Sequence, residues 1–156
     1  MTSRIDSASR LIQGTPQAIY RAFAEPGAME RWLPPDDMTG EMLHFDFREG
    51  GSYRMRLTYA RSGEGRGKTS EDADEVAVRL TRLEEGRRIE QQVMFESEDP
   101  SFAGVMHMIW TFLPRDDGTF VTIRAEDVPE GVRPEDHEAG LISSLENLAG
   151  FVEAAE

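Results

Sequence analysis

The apolar positions near the start of the chain predict one strand followed by two short helices. In SRIDSASRLIQG, residues 3–14, a few aliphatic side chains in a polar setting indicate a strand. In TPQAIYRAFAEP, Thr15 suits a helix N-cap and Pro16 the first helical position, and apolar residues follow at helical spacing. AMERWLPP, residues 28–35, continues this spacing in a second helix until two prolines end it.

From residue 43 onwards the apolar residues recur at every second position, which predicts a series of antiparallel strands. The predicted inward positions are Leu43, Phe45 and Phe47, then Tyr53, Met55, Leu57 and Tyr59, then Val76, Val78 and Leu80, then Ile89, Gln91, Val93 and Phe95, then Met106, Met108, Trp110 and Phe112. FVTIRA, residues 120–125, is the last strand, reached through an Asp-Gly hairpin turn. The polar, glycine-rich residues 60–74 predict a mobile hairpin loop.

The end of the chain predicts one long helix. RPEDHEAGLISSLENLAGFVEAAE, residues 133–156, would form a helix of about twenty residues, roughly 30 Å long. Leu141, Leu145, Leu148 and Val152 form an apolar stripe along it. A curved antiparallel sheet of about seven strands, wrapped around this helix, buries all of these faces, so we predict an α+β fold.

Composition narrows the class of protein. A chain of 156 residues predicts one domain, residues 1–156, and 38% hydrophobic residues suffice for a core. A net charge of −13 argues against nucleic acid as a partner, because phosphates must be neutralised by basic side chains. The sequence has no apolar run of the ~20 residues that a membrane span needs. Without a secretory signal and with no cysteine, a cytoplasmic location is expected.

The glycine pair in FDFREGGSYRM, residues 45–55, allows two interpretations. A phosphate-binding glycine loop leads into a helix, whose N-terminal amides hold the anion. Here a strand pattern follows instead, so Gly50 and Gly51 are predicted to form a tight turn between two strands. Asp46 and Arg48 are predicted to form an ion pair at the end of the strand.

Several short motifs occur in a characteristic order. A small polar residue precedes a proline, an aromatic residue and Ala-Glu-Pro follow, then a Trp near a Pro, and finally an acidic residue, an Arg and a glycine pair. The matching positions are Thr15, Pro16, Tyr20, Ala24, Glu25, Pro26, Trp32, Pro34, Asp46, Arg48, Gly50 and Gly51. From Arg4 to Val152 the chain resembles the START-like (SRPBCC) superfamily, and within it the activator of heat-shock protein 90 ATPase homologue (AHSA-type) family.

This resemblance implies a helix-grip fold, with a cavity between the curved sheet and the terminal helix. Relatives hold lipids, sterols, polyketides or other apolar molecules there, and a few catalyse cyclisation or aromatisation. The eukaryotic co-chaperone carries a further N-terminal domain that engages the chaperone. We do not expect a chain of this length to include it, which argues against chaperone activation.

The three histidines show no metal-binding spacing, and no cofactor is predicted. His44 and His107 fall opposite the apolar faces of their strands, so both are expected on the outer face of the sheet. His107 remains a candidate for a pocket acid or base. His137, among acidic residues at the start of the last helix, is expected to be solvated.

Candidate ligand-binding residues are those that would face the terminal helix or lie near it. They are Trp32, Phe45, Phe47, Tyr53, Met55, Tyr59, Gln91, Met108, Trp110, Phe112, Leu145 and Leu148. Ordinary core packing is the alternative for each. Gln91 carries the most information, because it is a polar residue on an otherwise apolar strand face, and a buried amide needs hydrogen-bond partners.

Three functions remain open from the sequence. The leading hypothesis is non-catalytic binding of a small hydrophobic or amphipathic molecule in the cavity. A second is a cyclase or aromatase-like enzyme, using His107 or a tyrosine hydroxyl as its acid or base. A third is a stress-related or chaperone-interacting protein that acts through the acidic terminal helix, residues 133–156. The sequence also leaves a homodimer open.

Overall fold

In the part of the chain that the structure describes, ten helices and strands follow one another in the order that the sequence predicts. The computed structural model describes residues 4–34, 38–59, 73–95 and 104–154. The elements are β1 (Ile5–Ile12), α1 (Pro16–Ala24), α2 (Pro26–Trp32), β2 (Met38–Phe45), β3 (Ser52–Tyr59), β4 (Ala73–Glu84), β5 (Arg88–Phe95), β6 (Met106–Arg115), β7 (Gly118–Glu126) and α3 (Pro134–Ala154). The loop predicted at 60–74 lies outside the described residues, except for its last two, which begin β4.

The strands form one antiparallel sheet in the order β1-β7-β6-β5-β4-β3-β2. Six strands follow one another as a meander, and β1 joins the edge at β7 with Ile5 opposite Glu126. Helix α3 runs close to β1 and to both short helices. This arrangement confirms the predicted helix-grip fold, and it brings the first strand of the chain next to the start of the last helix.

The two short helices are fixed by local chemistry. The Thr15 hydroxyl accepts a hydrogen bond from the backbone N–H of Ala18 at 3.1 Å, which caps α1 as predicted. The indole Nε1 of Trp32 donates to the backbone carbonyl of Ala22 at 2.9 Å. Because Trp32 and Phe23 also pack edge to face, 5.0 Å between ring centroids, α2 is held firmly against α1.

The alternation predicted around β2 is wrong at two points. The pairing register of β2 with β3 shifts between Met42 and His44, so Leu43 is turned outward and is 42% exposed. The strand ends at Phe45, and Phe47 lies in the connection that follows. A β-bulge adds one residue to a strand, and a period-2 pattern cannot show where this happens.

The glycine pair forms the predicted turn. Gly50 has a φ of 83°, a conformation that favours glycine, and a Cβ on Gly51 would lie 2.2 Å from the carbonyl oxygen of Asp46. The backbone N–H of Gly50 donates to Leu80 on β4, and the N–H of Leu80 donates to Gly51. The predicted ion pair between Asp46 and Arg48 is present at 2.8 Å. The turn therefore completes the sheet and does not form an anion site.

Neither a membrane span nor a metal cluster is found in the described ranges. Across residues 4–34, 38–59, 73–95 and 104–154, no helix combines the length and the apolar character needed to cross a bilayer. Over the same ranges, no group of three or more histidine or acidic side chains is placed to hold a metal ion.

Candidate ligand-binding cavity

A cavity of about 240 Å³ lies between the inner face of the sheet and the N-terminal half of α3. Its lining comes from the two short helices, from five strands and from α3. These residues are Phe23, Met29, Leu33, Tyr53, Met55, Leu57, Val76, Val78, Gln91, Val93, Met106, Met108, Trp110, Ile123, His137, Gly140, Leu141 and Ser144. Of these described residues, thirteen carry no polar side-chain group, and the five that do are Tyr53, Gln91, Trp110, His137 and Ser144. This is the composition expected of a site for a small apolar molecule.

A second depression of about 540 Å³ lies outside the core, between α1, α2 and the end of α3. Its walls include Arg21, Glu25 and Arg31, which are charged, and it opens along the surface of the short helices. A groove of this kind offers little apolar area for burial. The smaller cavity under α3 is therefore the better candidate site.

Five of the twelve residues predicted from the sequence as candidate ligand-binding residues line the cavity. They are Tyr53, Met55, Gln91, Met108 and Trp110. All five lie at alternating positions of β3, β5 and β6, so the period-2 pattern identified their face correctly. The side chain of Tyr59 lies outside the described part of the structure.

The remaining six nominated residues lie elsewhere. Trp32 is bound to α1, and Phe112 is buried with its ring centroid 5.8 Å from that of Phe23. The rings of Phe45 and Phe47 stack at 6.0 Å beside the β2–β3 turn. Leu145 and Leu148 are fully buried further along α3, beyond the cavity, and these two lie among the core residues. The following residues therefore do not line the cavity: Trp32, Phe45, Phe47, Phe112, Leu145 and Leu148.

Gln91 is buried, as its position on an apolar face suggests, with 5% of its surface exposed. Its side chain is a hydrogen-bond partner of the Tyr53 hydroxyl. Burial raises the pKa of Tyr53 well above its ordinary value of 10.0, and the bond to Gln91 offsets this only in part. The phenol is therefore neutral.

None of the twelve candidate ligand-binding residues lies on the face of α3 that closes the cavity. His137, Gly140, Leu141 and Ser144 all line it, at positions i, i+3, i+4 and i+7. This spacing is present in the sequence, but only one of the four residues is a leucine, so the pattern of apolar positions does not identify this face. The prediction that His137 is solvated is wrong, since its side chain is 13% exposed.

Asp6 holds the ring of His137 in place. The Asp6 carboxylate oxygen Oδ2 lies 2.7 Å from His137 Nδ1 and 2.8 Å from Arg4 Nη2. Arg4 also donates from Nη1 to the backbone carbonyl of Val132, in the connection before α3. These contacts join β1 to the start of the terminal helix.

The guanidinium of Arg4 lowers the pKa of the Asp6 carboxyl below its ordinary value of 3.8. The hydrogen bond from Arg4 is the largest cause, burial opposes it, and the bond with His137 adds to it. Asp6 is consequently an ionised carboxylate at neutral pH. A carboxylate of this kind only accepts hydrogen bonds.

The histidine that the sequence analysis proposed as an acid or base lies on the wrong side of the sheet. His107 alternates with Met106 and Met108, and those two line the cavity while His107 does not. Its side chain is 42% exposed and lies 3.7 Å from Asp127. The hypothesis that His107 serves as a pocket acid or base is therefore wrong.

A long C-terminal helix lying across a seven-stranded antiparallel sheet, with an apolar cavity between them, defines a helix-grip protein. This fold commonly binds hydrophobic ligands. The model of the family described as Activator of Hsp90 ATPase homolog 1-like protein matches residues 13–153. The chain therefore belongs to this family, as its motifs predicted.

Solved structures agree with this assignment. A protein from Chromobacterium violaceum is 30% identical in sequence, with a TM-score of 0.84 and 96% of each chain covered. The AHSA1-like protein from Aeromonas hydrophila is 19% identical, with a TM-score of 0.73, 97% of this chain and 94% of the other covered. A protein from Arthrobacter aurescens is 17% identical, with a TM-score of 0.78 over 96% of this chain and 86% of the other. The last two comparisons support the fold alone. A search of curated proteins found no match.

Proposed function

We propose that this protein binds a small hydrophobic or amphipathic molecule, without covalent chemistry, in the cavity between the sheet and α3. The observation that carries the proposal is the cavity itself, where thirteen of the eighteen described lining residues carry no polar side-chain group. Burial of apolar ligand surface contributes about 25 cal/mol per Å², and the polar groups set the orientation of the ligand.

The size of the cavity limits the size of the ligand. An apolar cavity of roughly 150 Å³ takes up one benzene molecule. A volume of about 240 Å³ then has room for a fused two-ring compound or an acyl chain of similar bulk. A larger lipid or sterol would fit only with movement of α3 or of its neighbours.

The proposal treats residues 1–156 as one domain. The family match from 13 to 153 supports this, and so does the sheet, in which β1 near the start pairs with β7 near the end. We propose a cytoplasmic location as well, on the basis of the sequence prediction.

Native mass spectrometry of freshly purified protein tests the proposal first. We expect a fraction of the molecules to carry an added mass of small-molecule size, which disappears when the protein is denatured. Equilibrium dialysis against naphthalene gives the quantitative test, and we expect saturable binding of one molecule per chain. A protein that shows only its own mass and takes up no naphthalene would contradict the proposal.

A further inference from the structure

His137 lines the cavity, and its contact with Asp6 determines which ring nitrogen carries the proton. Its Nδ1 lies 2.7 Å from Asp6, and the cavity borders the same residue. Because the ionised Asp6 carboxylate only accepts hydrogen bonds, the proton between the two atoms belongs to Nδ1. In the neutral imidazole the remaining nitrogen, Nε2, then carries the lone pair and acts as an acceptor.

Nε2 has no hydrogen-bond partner among the described residues of the chain. The side chains of Tyr53 and Gln91 form a hydrogen bond with each other. Ser144 lies two turns further along α3, about 10 Å from His137 along the helix axis. Nε2 is therefore an acceptor that no described residue uses and that a ligand in the cavity could use.

The orientation of the ring is secured from two directions. Asp6 comes from β1 and His137 from α3, so their contact fixes the ring relative to the sheet as well as to its own helix. Arg4 holds Asp6 at 2.8 Å and also binds the carbonyl of Val132. A histidine that is oriented by a partly buried carboxylate presents its other nitrogen in one direction, as binding and proton-transfer sites require.

We propose that His137 recognises a hydroxyl group of the ligand, and that the preferred ligands are therefore apolar molecules with one alcohol or phenol. The apolar body occupies the cavity, and the hydroxyl donates its hydrogen to His137 Nε2. Asp6 acts as a positioning residue that selects the tautomer, and Arg4 keeps Asp6 ionised. This inference rests on the proposed function, since it assigns the ligand class of the same cavity.

Three compounds of similar size separate the contribution of apolar burial from that of the hydrogen bond. Naphthalene measures apolar burial alone, 2-naphthol adds a hydrogen-bond donor, and 2-methoxynaphthalene adds an oxygen that can only accept. Equilibrium dialysis at pH 7.5 gives the dissociation constant of each with the purified chain. We expect 2-naphthol to bind roughly three- to tenfold more tightly than naphthalene, the gain of one hydrogen bond, and 2-methoxynaphthalene to show no such gain.

Two variants test whether the preference for 2-naphthol over naphthalene depends on the His137 ring and on its orientation by Asp6. His137→Phe keeps a flat ring and removes the acceptor, so the preference for 2-naphthol should disappear while naphthalene still binds. Asp6→Asn should reduce the same preference, because a neutral amide can donate to Nδ1 and move the ring proton to Nε2. His107→Phe, on the outer face of the sheet, is the matched control and should behave as the unmodified protein.

A measurement on the unmodified protein covers the case in which a variant does not fold. In ¹⁵N-labelled protein, adding 2-naphthol should shift the Nε2 resonance of His137 and leave the resonances of His107 unchanged.

The outcomes distinguish the two proposals. If naphthalene binds but 2-naphthol gains nothing, or gains equally in the His137→Phe protein, the role of His137 is refuted and cavity binding stands. Equal gains for 2-naphthol and 2-methoxynaphthalene that both disappear in the His137→Phe protein would also refute it, because Nε2 would then be acting as a donor. If none of the three compounds binds, the proposed function fails together with this inference.

Discussion

Gly140 lies on the face of α3 that borders the cavity, and a side chain added there should block the site without harming the fold. A Cβ built on Gly140 meets nothing within 4 Å. Gly150 lies on the same helix, a Cβ there also meets nothing within 4 Å, and it does not line the cavity. Gly140→Leu and Gly150→Leu are therefore a matched pair, one at the site and one away from it.

The expected change in stability follows from two contributions. Leucine is a better helix former than glycine by about 0.8 kcal/mol, and both variants gain this. Full burial of a leucine side chain contributes about 1.5–3 kcal/mol, so half-burial in the cavity mouth contributes about 1 kcal/mol at Gly140 only. In a chain of this size we expect the Gly140→Leu protein to melt roughly 2–4 °C above the Gly150→Leu protein.

Thermal unfolding of the three proteins measures this difference in melting temperature, and naphthalene dialysis measures their binding. We expect Gly140→Leu to be the most stable protein and to lose most of its naphthalene binding, while Gly150→Leu binds as the unmodified chain does. Retained binding in the Gly140→Leu protein would show that α3 does not border the ligand. A loss of stability at Gly140 alone would show that the space next to this helix face is filled.

Three further changes test the structure at other points. Trp110→Ala should lower the free energy of unfolding by about 3–5 kcal/mol, because the ring packs 4.8 Å from that of Phe23 in the core. Leu113→Ala, at an exposed position of the same strand, should change it by less than about 0.5 kcal/mol. Similar losses for the two variants in urea unfolding would contradict this. Gly51→Ala should destabilise the protein by more than about 1 kcal/mol, since its Cβ would lie 2.2 Å from a backbone oxygen, and an unchanged urea midpoint would refute the turn geometry. Folding lowers the pKa of Asp6 below 3.8, so the stability that its carboxylate contributes is present above that pH and is lost as the pH falls through the pKa of the folded protein. The difference in unfolding free energy between the unmodified and Asp6→Asn proteins should therefore shrink below about pH 4. A difference that stays constant with pH would contradict this prediction.

Much of the fold could be predicted because the relevant signals are local. Thr15 and Pro16 begin a helix for reasons that lie within one turn, and the glycine pair determines a hairpin through its own backbone freedom. The inward faces of β3, β5 and β6 follow from a period of two, which correctly places Tyr53 and Gln91 on the cavity wall. The exception is β2, where a bulge reverses the faces after Met42.

The sequence by itself determined the order of the elements, the apolar inner face of the sheet and the family to which the chain belongs. Only the tertiary structure decided which of those apolar residues enclose space and which pack against one another. Trp110 borders the cavity, whereas Phe112, two residues further along the same face, does not and packs against Phe23 of α1. The pairing of β1 with the far edge of the sheet is likewise a long-range event. It places Asp6 beside His137, 131 positions later in the chain, and so converts a histidine that seemed solvated into an oriented group at the cavity.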